Sequence, residues 1–246
     1  MAIAQDYKPK SVDASEYVTV PLDEELYSDE PCLETYLHLQ QLVALLTSLE
    51  WWWDERTDFF AAGNLTVYYS QRRRKSEDFR GPDFFVVLDT ERRPRKSWTV
   101  WQEDGKYPNV IVEVLSDSTA ETDRGLKKQI YQDIWRTPNY FWIDPDSLEF
   151  AGFHLMDGVY EPLEADAHGR MWCQQLELFL GIHESQLRFF TPEGKLVPTP
   201  KESAVMREAA LELEREQTAQ ERQRADVLAA KLRELGIDPD SLPHNG

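Results

Sequence analysis

Two apolar runs, one uninterrupted and one broken by a single glutamate, constrain the fold of this chain more than any other feature. Residues 84–88 read Phe-Phe-Val-Val-Leu, and residues 110–115 read Val-Ile-Val-Glu-Val-Leu. Runs of β-branched and aromatic residues without polar alternation are typical of strands that are covered on both faces. The 246 residues, 41% of them hydrophobic, suffice for one such domain and an appendage. The sequence therefore predicts an α/β fold around a buried central sheet.

Each of these predicted strands is associated with an acid. Asp83 precedes the first strand directly after Gly81 and Pro82, and Glu113 lies in the middle of the second. An ionised carboxylate in an apolar strand must be paired, metal-bound or neutralised, because burying it alone is costly. Two simpler interpretations stay open: a turn aspartate beside Pro and Gly, and a structural salt bridge from Glu113 to Arg124 or a lysine.

The segment after the second strand predicts a helix that carries a lysine and a tyrosine on one face. We expect the helix to end near Arg136, because Pro138 cannot continue it. Lys127 and Tyr131 are four residues apart and therefore project together. Two carboxylates and a nearby lysine are the groups that a Mg²⁺-dependent phosphodiester hydrolase needs to bind the cation and stabilise charge. A solvated lysine and a core-edge tyrosine are the alternatives.

Further elements are predicted on either side of these strands. Recurring leucines indicate a helix over residues 33–49, and a β-rich run indicates a strand over 64–69. Asp157-Gly158 predicts a hairpin turn. Leu126, Ile130 and Ile134 form an apolar stripe on the helix that carries Lys127. The pattern of residues 171–190 favours no single assignment.

The composition changes after Pro200, where residues 202–235 are nearly all helix formers. The polar character of this segment on all sides predicts an exposed helix or a weak coiled coil. We therefore expect three parts: an N-terminal arm over residues 1–30, a main domain over 31–200 and a helical tail over 201–246.

The charge distribution bears on possible partners. The net charge of −18 argues against a general nucleic-acid coat, since phosphate binding depends on basic residues. Residues 71–96 nevertheless contain nine basic and five acidic residues, a local net charge of +4. The basic residues are Arg72, Arg73, Arg74, Lys75, Arg80, Arg92, Arg93, Arg95 and Lys96. Such a patch beside Asp83 can meet a phosphate backbone, although a solvated loop is the alternative.

Several classes of protein are disfavoured. Two cysteines exclude a disulfide scaffold and argue against a cysteine zinc cluster. The five histidines show no pair at the spacing of metal ligands. The chain has no apolar run of about 18 residues, so we expect a cytoplasmic protein that does not enter a membrane.

Taken together, these segments resemble the bacterial putative restriction endonuclease domain family of the PD-(D/E)XK nuclease superfamily. The resemblance covers roughly residues 30 to 195. It rests on Gly-Pro-Asp before a strand, Glu-Val-Leu-Ser in the next strand, Asp-Arg-Gly-x-Lys-x-x-x-Tyr in a helix, and Asn-Tyr-Phe-Trp-Ile-Asp-Pro. It implies a restriction-endonuclease-like mixed central sheet flanked by helices, followed here by a C-terminal extended helix.

The resemblance also implies a metal site. Asp83 and Glu113 would bind Mg²⁺ or Mn²⁺, and the backbone carbonyl of Val114 would add a ligand. The superfamily pattern places a lysine where this chain has Leu115, and members of this family carry it on the following helix, which matches Lys127. A helical acid such as Glu34 completes some sites of this kind.

We therefore expect a metal-dependent DNA endonuclease. Lys127 would stabilise the attacking water or the scissile phosphate, and Tyr131 would order the lysine or a phosphate. A homodimer is expected, because duplex cutters often pair two sites by two-fold symmetry. Two alternatives stay open: a binding or scaffold protein on an inactive nuclease fold, favoured by the acidic charge, Leu115 and the polar tail, and a hydrolase of a small phosphate ester.

Overall fold

The computed structural model describes residues 18–19, 25–30, 35–70, 72–73, 79–116 and 123–235. Its strands, in chain order, are β1 (Val18–Thr19), β2 (Phe59–Gly63), β3 (Val67–Tyr68), β4 (Arg72–Arg73), β5 (Phe79–Arg80), β6 (Phe84–Leu88), β7 (Trp98–Thr99), β8 (Val110–Val114), β9 (Asn139–Ile143), β10 (Phe150–Met156), β11 (Val159–Pro162), β12 (Met171–Cys173), β13 (Leu178–His183) and β14 (Gln186–Phe190). The helices are α1 (Tyr36–Trp52), α2 (Lys128–Asp133) and α3 (Pro200–Glu234). A π-helical turn at Asp123–Lys127 leads directly into α2.

A six-stranded mixed sheet forms the core of the part before residue 198. Its strand order is β11-β10-β9-β8-β6-β2, in which β8 and β9 run parallel and the other neighbours antiparallel. Every residue of β8 and β9 is buried, as the apolar run in β8 predicts. The predicted α/β fold with a mixed central sheet is thus confirmed, and β6 occupies the predicted residues.

Side chains of β8 alternate between two hydrophobic clusters on opposite faces of the sheet. Val110, Val112 and Val114 pack in a cluster that includes the leucines of α1. Ile111 and Leu115 pack in the other cluster with Tyr131 of α2. Because side chains alternate along a strand, Glu113 faces the same side as Ile111 and therefore faces α2.

The smaller sheets correct two sequence predictions. The strand expected over 64–69 is only β3, which pairs with β5 and β7, while the unpredicted β2 pairs with β6. Residues 171–190, left unassigned, form the antiparallel sheet β12-β13-β14. Strands β2 and β3 pair with strands well separated in sequence, which short local patterns do not reveal, whereas β12, β13 and β14 pair with their neighbours along the chain.

The helices differ from their predicted bounds. Thr35 caps α1, which continues through Trp52, so the helix lies about three residues further along the chain than the leucine pattern predicted. Helix α2 ends at Asp133, before the predicted end at Arg136. The stripe on α2 is also only partly in the core: Ile130 is buried, whereas about half of Leu126 and Ile134 is exposed.

The chain divides into two compact units, residues 1–197 and 198–246. The second unit contains α3, which begins with a capping box in which Thr199 and Glu202 bond each other's backbone N–H groups. Nearly all side chains of α3 are exposed, in agreement with the polar pattern of its sequence. In the described part of the chain, no helix is both long and apolar enough to cross a membrane.

Candidate active site

The register of the central sheet brings Asp83 and Glu113 together. Phe84 of β6 pairs with Val112 of β8, so the next residue outward on each strand is an acid. The backbone N–H of Asp83 donates to Oε2 of Glu113 over 3.2 Å. In return, an oxygen of Asp83 accepts the backbone N–H of Val114 over 2.8 Å. The two carboxylates are therefore neighbours across adjacent strands.

Glu113 is fully buried and is held by side chains of the following helical segment. The Tyr131 hydroxyl donates to Oε1 over 2.7 Å, and Nζ of Lys127 lies 3.2 Å from Oε2. Lys127 ends the π-helical turn, and Tyr131 lies one turn further on in α2. The prediction that these two side chains project together is confirmed, because both contact the same carboxylate.

The carboxylate of Asp83 has a nitrogen partner on each oxygen. Oδ2 accepts from Val114, and Oδ1 lies 3.0 Å from Nε2 of His38 on the first turn of α1. Burial acts to raise the pKa of Asp83, but the contact with His38 and the charge of Lys127 outweigh it, so this pKa lies below its ordinary value. Asp83 is therefore ionised at neutral pH.

A third acid, Glu30, approaches the same place from the segment before α1. Thr66 donates to its Oε1 over 2.8 Å, and a Cβ at Gly81 would collide with its carboxyl group. Burial raises the pKa of Glu30, while Thr66 and the positive charge of Lys127 act in the opposite direction. Glycine at position 81 thus leaves room for an acid within electrostatic reach of Asp83 and Lys127.

The donor set of the site suits a hard divalent cation. Asp83 and Glu113 present carboxylate oxygens, which Mg²⁺ and Mn²⁺ prefer. Within the described ranges, no group of three or more His, Cys, Asp or Glu side chains is arranged to hold a metal ion. A cation here would therefore depend on the two carboxylates with water or backbone oxygens. The carbonyl of Val114 stays a proposed ligand, and Glu34 lies outside the described residues.

Some basic residues of segment 71–96 are not placed to contact phosphate as expected. The side chain of Arg95 is buried and its guanidinium is bonded to Glu103, so the expectation is wrong for this residue. The Arg92 guanidinium bonds backbone carbonyls that follow α1 and covers the ring of Phe59. Lys96 pairs with Glu25. The side chains of residues 72–75 lie outside the described part, so their role stays a prediction.

Sequence reasoning missed His38 and Glu30. His38 shares the buried face of α1 with Leu42 and Leu45, at spacings of four and seven residues. A histidine in register with these leucines was a usable signal. No comparable pattern marks Glu30, whose place becomes evident only from the space beside Gly81.

Comparison with known proteins identifies the family. The family model described as "Uma2: Putative restriction endonuclease" matches residues 15–187, which is more than half of the chain. The chain belongs to this family. The predicted family is therefore confirmed, and the match includes all four predicted site side chains. No curated protein matches the chain.

One solved structure has a distant likeness to this Uma2 family member. It is a crystal structure described as a putative nuclease belonging to DUF820 from Anabaena variabilis, 14% identical in sequence. The alignment covers 62% of this chain and 80% of that chain, with a TM-score of 0.45. So distant a likeness adds nothing to the family assignment.

Proposed function

We propose that this protein is a nuclease that hydrolyses phosphodiester bonds of DNA with a bound Mg²⁺ or Mn²⁺. The observation that carries the proposal is the meeting of Asp83 and Glu113 at adjacent strands, with Lys127 on one of the two carboxylates. Membership of a family described as putative restriction endonucleases supports it.

Each side chain has a part in this proposal. Asp83 and Glu113 hold the cation, which when bound polarises the phosphoryl oxygen and acidifies a water molecule. Lys127, whose side chain is 16% exposed, stabilises negative charge on the attacking water or the phosphate. Tyr131 keeps Glu113 in place through its hydroxyl group. A homodimer, with one site for each strand of a duplex, extends the same proposal.

Plasmid cleavage and calorimetry together test the proposal. Asp83→Ala and Glu113→Gln should each lose cation binding and nicking, whereas wild type should bind Mg²⁺ or Mn²⁺ and nick the plasmid. Circular dichroism establishes that the variants remain folded. Unchanged nicking by folded Asp83→Ala would remove this assignment.

A second candidate is a nucleic-acid-binding or scaffold protein that no longer cuts. Its support is the surroundings of Glu113, which already receives donors from Tyr131, Lys127 and the backbone of Asp83. A buried carboxylate with three donors is stable without a cation. A gel-shift assay and calorimetry test this function. It would be favoured if the wild-type protein shifts a DNA fragment but binds no cation at millimolar concentration.

A further inference from the structure

His38 connects helix α1 to the candidate site. Its backbone N–H donates to the Thr35 hydroxyl over 3.1 Å, which fixes the first turn of α1. Its imidazole is 9% exposed and places Nε2 at 3.0 Å from Oδ1 of Asp83. Nε2 makes no aligned hydrogen bond here, so the contact is a close approach of the imidazole nitrogen to the carboxylate. Helix α1 thus begins against the acid that precedes β6.

Two separate elements determine the orientation of the Asp83 carboxylate. Strand β8 contributes the backbone N–H of Val114 to Oδ2, and α1 contributes His38 to Oδ1. A carboxylate has about four lone-pair sites, so both oxygens retain acceptor capacity.

His38 is not needed as a cation ligand in this arrangement. Its nearest acid oxygen belongs to Asp83, and no three-residue ligand group occurs among the described side chains. Partners that bond a ligating carboxylate typically orient it, and their loss costs about 10–100-fold in metal affinity. The position of His38 fits the role of a partner that orients a ligating carboxylate.

We propose that His38 is a positioning residue, which holds Asp83 in the orientation that binds the catalytic cation. This inference rests on the proposed function, because it assigns His38 a part in the same cation site. It predicts that cation affinity depends on a polar nitrogen at position 38, placed against Asp83, rather than only on the packing of α1.

Gln41 offers a matched control on the same helix. It is buried three residues after His38, and its side-chain amide bonds both the N–H and the carbonyl of Leu187 in β14. Removing it weakens the attachment of α1 without touching Asp83. Gln41→Ala therefore reports the effect of a destabilised α1 by itself.

The experiment is titration calorimetry of Mn²⁺ and Mg²⁺ into the whole chain without nucleic acid. We expect His38→Ala to weaken binding by about 10–100-fold. His38→Gln, whose amide nitrogen can take the same place against Asp83, should recover most of the affinity. Gln41→Ala should bind as wild type does, although urea unfolds it at a lower concentration.

The possible outcomes separate this inference from the proposed function. Equal or tighter binding by His38→Ala, or an equal loss in Gln41→Ala, would overturn the positioning role while the proposed function stands. Wild type that binds neither cation at millimolar concentration would overturn the proposed function, and the positioning role with it.

Discussion

Two largely buried carboxylates, Glu113 and Glu103, are neutralised in different ways. Two guanidinium nitrogens of Arg95 donate to the carboxylate oxygens of Glu103 over 2.6 and 2.9 Å, and a nitrogen of Arg93 donates over 2.8 Å. Glu113 receives instead one ammonium, one phenol and one backbone N–H. Only Glu113 has a second acid, Asp83, bonded to it across the sheet.

The difference separates a structural ion pair from a candidate site. Arg95 is 2% exposed and also bonds the Glu91 carbonyl and the Thr90 hydroxyl, so it cannot turn to a substrate. A guanidinium fork on a carboxylate is a rigid, saturated contact. Lys127 is a partly exposed point charge on a flexible stem. Burial of an acid therefore says less about function than the nature of its partners.

The largest expected effect is on cleavage. Glu113→Gln should reduce plasmid nicking by about 1,000-fold, because loss of a cation ligand removes several kcal/mol of transition-state stabilisation. Glu103→Gln, measured below its unfolding temperature, should nick within about twofold of wild type, since its partners are structural. A similar loss in both variants would erase the contrast between the two carboxylates.

The free energy of unfolding should depend strongly on the ion pair of Glu103. Arg95→Met leaves the carboxylate of Glu103 with Arg93 alone, and breaking a buried pair costs about 3 kcal/mol of unfolding free energy. Arg93→Met is the control: its side chain is 46% exposed, so the expected cost is below about 1 kcal/mol. Urea unfolding measures both, and equal losses would contradict the structural role given to Arg95.

Tyr131→Phe measures how much the hydroxyl bonded to Glu113 contributes to stability and cation binding. It removes a buried hydroxyl that donates to a carboxylate, a contact worth about 1.5–3 kcal/mol, while the ring remains in its aromatic cluster. Both the unfolding free energy and the cation affinity should decrease. A variant as stable as wild type would show that the hydroxyl contributes no net stability.

The smallest effect concerns Glu30 and pH. Its pKa is raised in the folded protein from an ordinary 4.5, so the folded state binds more protons and wild type loses stability as pH rises above that value. Once the pH exceeds the raised pKa, Glu30 causes no further loss of stability. Relative to Glu30→Gln, which does not titrate, wild type should become less stable as the pH rises from the ordinary value of 4.5 through the raised pKa of Glu30. Urea unfolding in EDTA measures this difference, and the opposite slope would contradict the burial of Glu30.

The sequence by itself determined the central strands and part of the site. The apolar runs predicted β6 and β8, because a strand covered on both faces needs no polar alternation. Lys127 and Tyr131 were paired correctly, because their neighbourhood follows from one helical turn. Glu113 was recognised from the cost of an acid in such a strand.

Only the tertiary structure decided which distant residues join them. His38 contacts Asp83, and Glu30 lies beside Gly81, through packing of segments far apart in the chain. Arg95, predicted to meet phosphate, is bonded to Glu103. Local periodicity shows which face a side chain occupies but not what lies opposite, because the opposite surface comes from other elements of the fold.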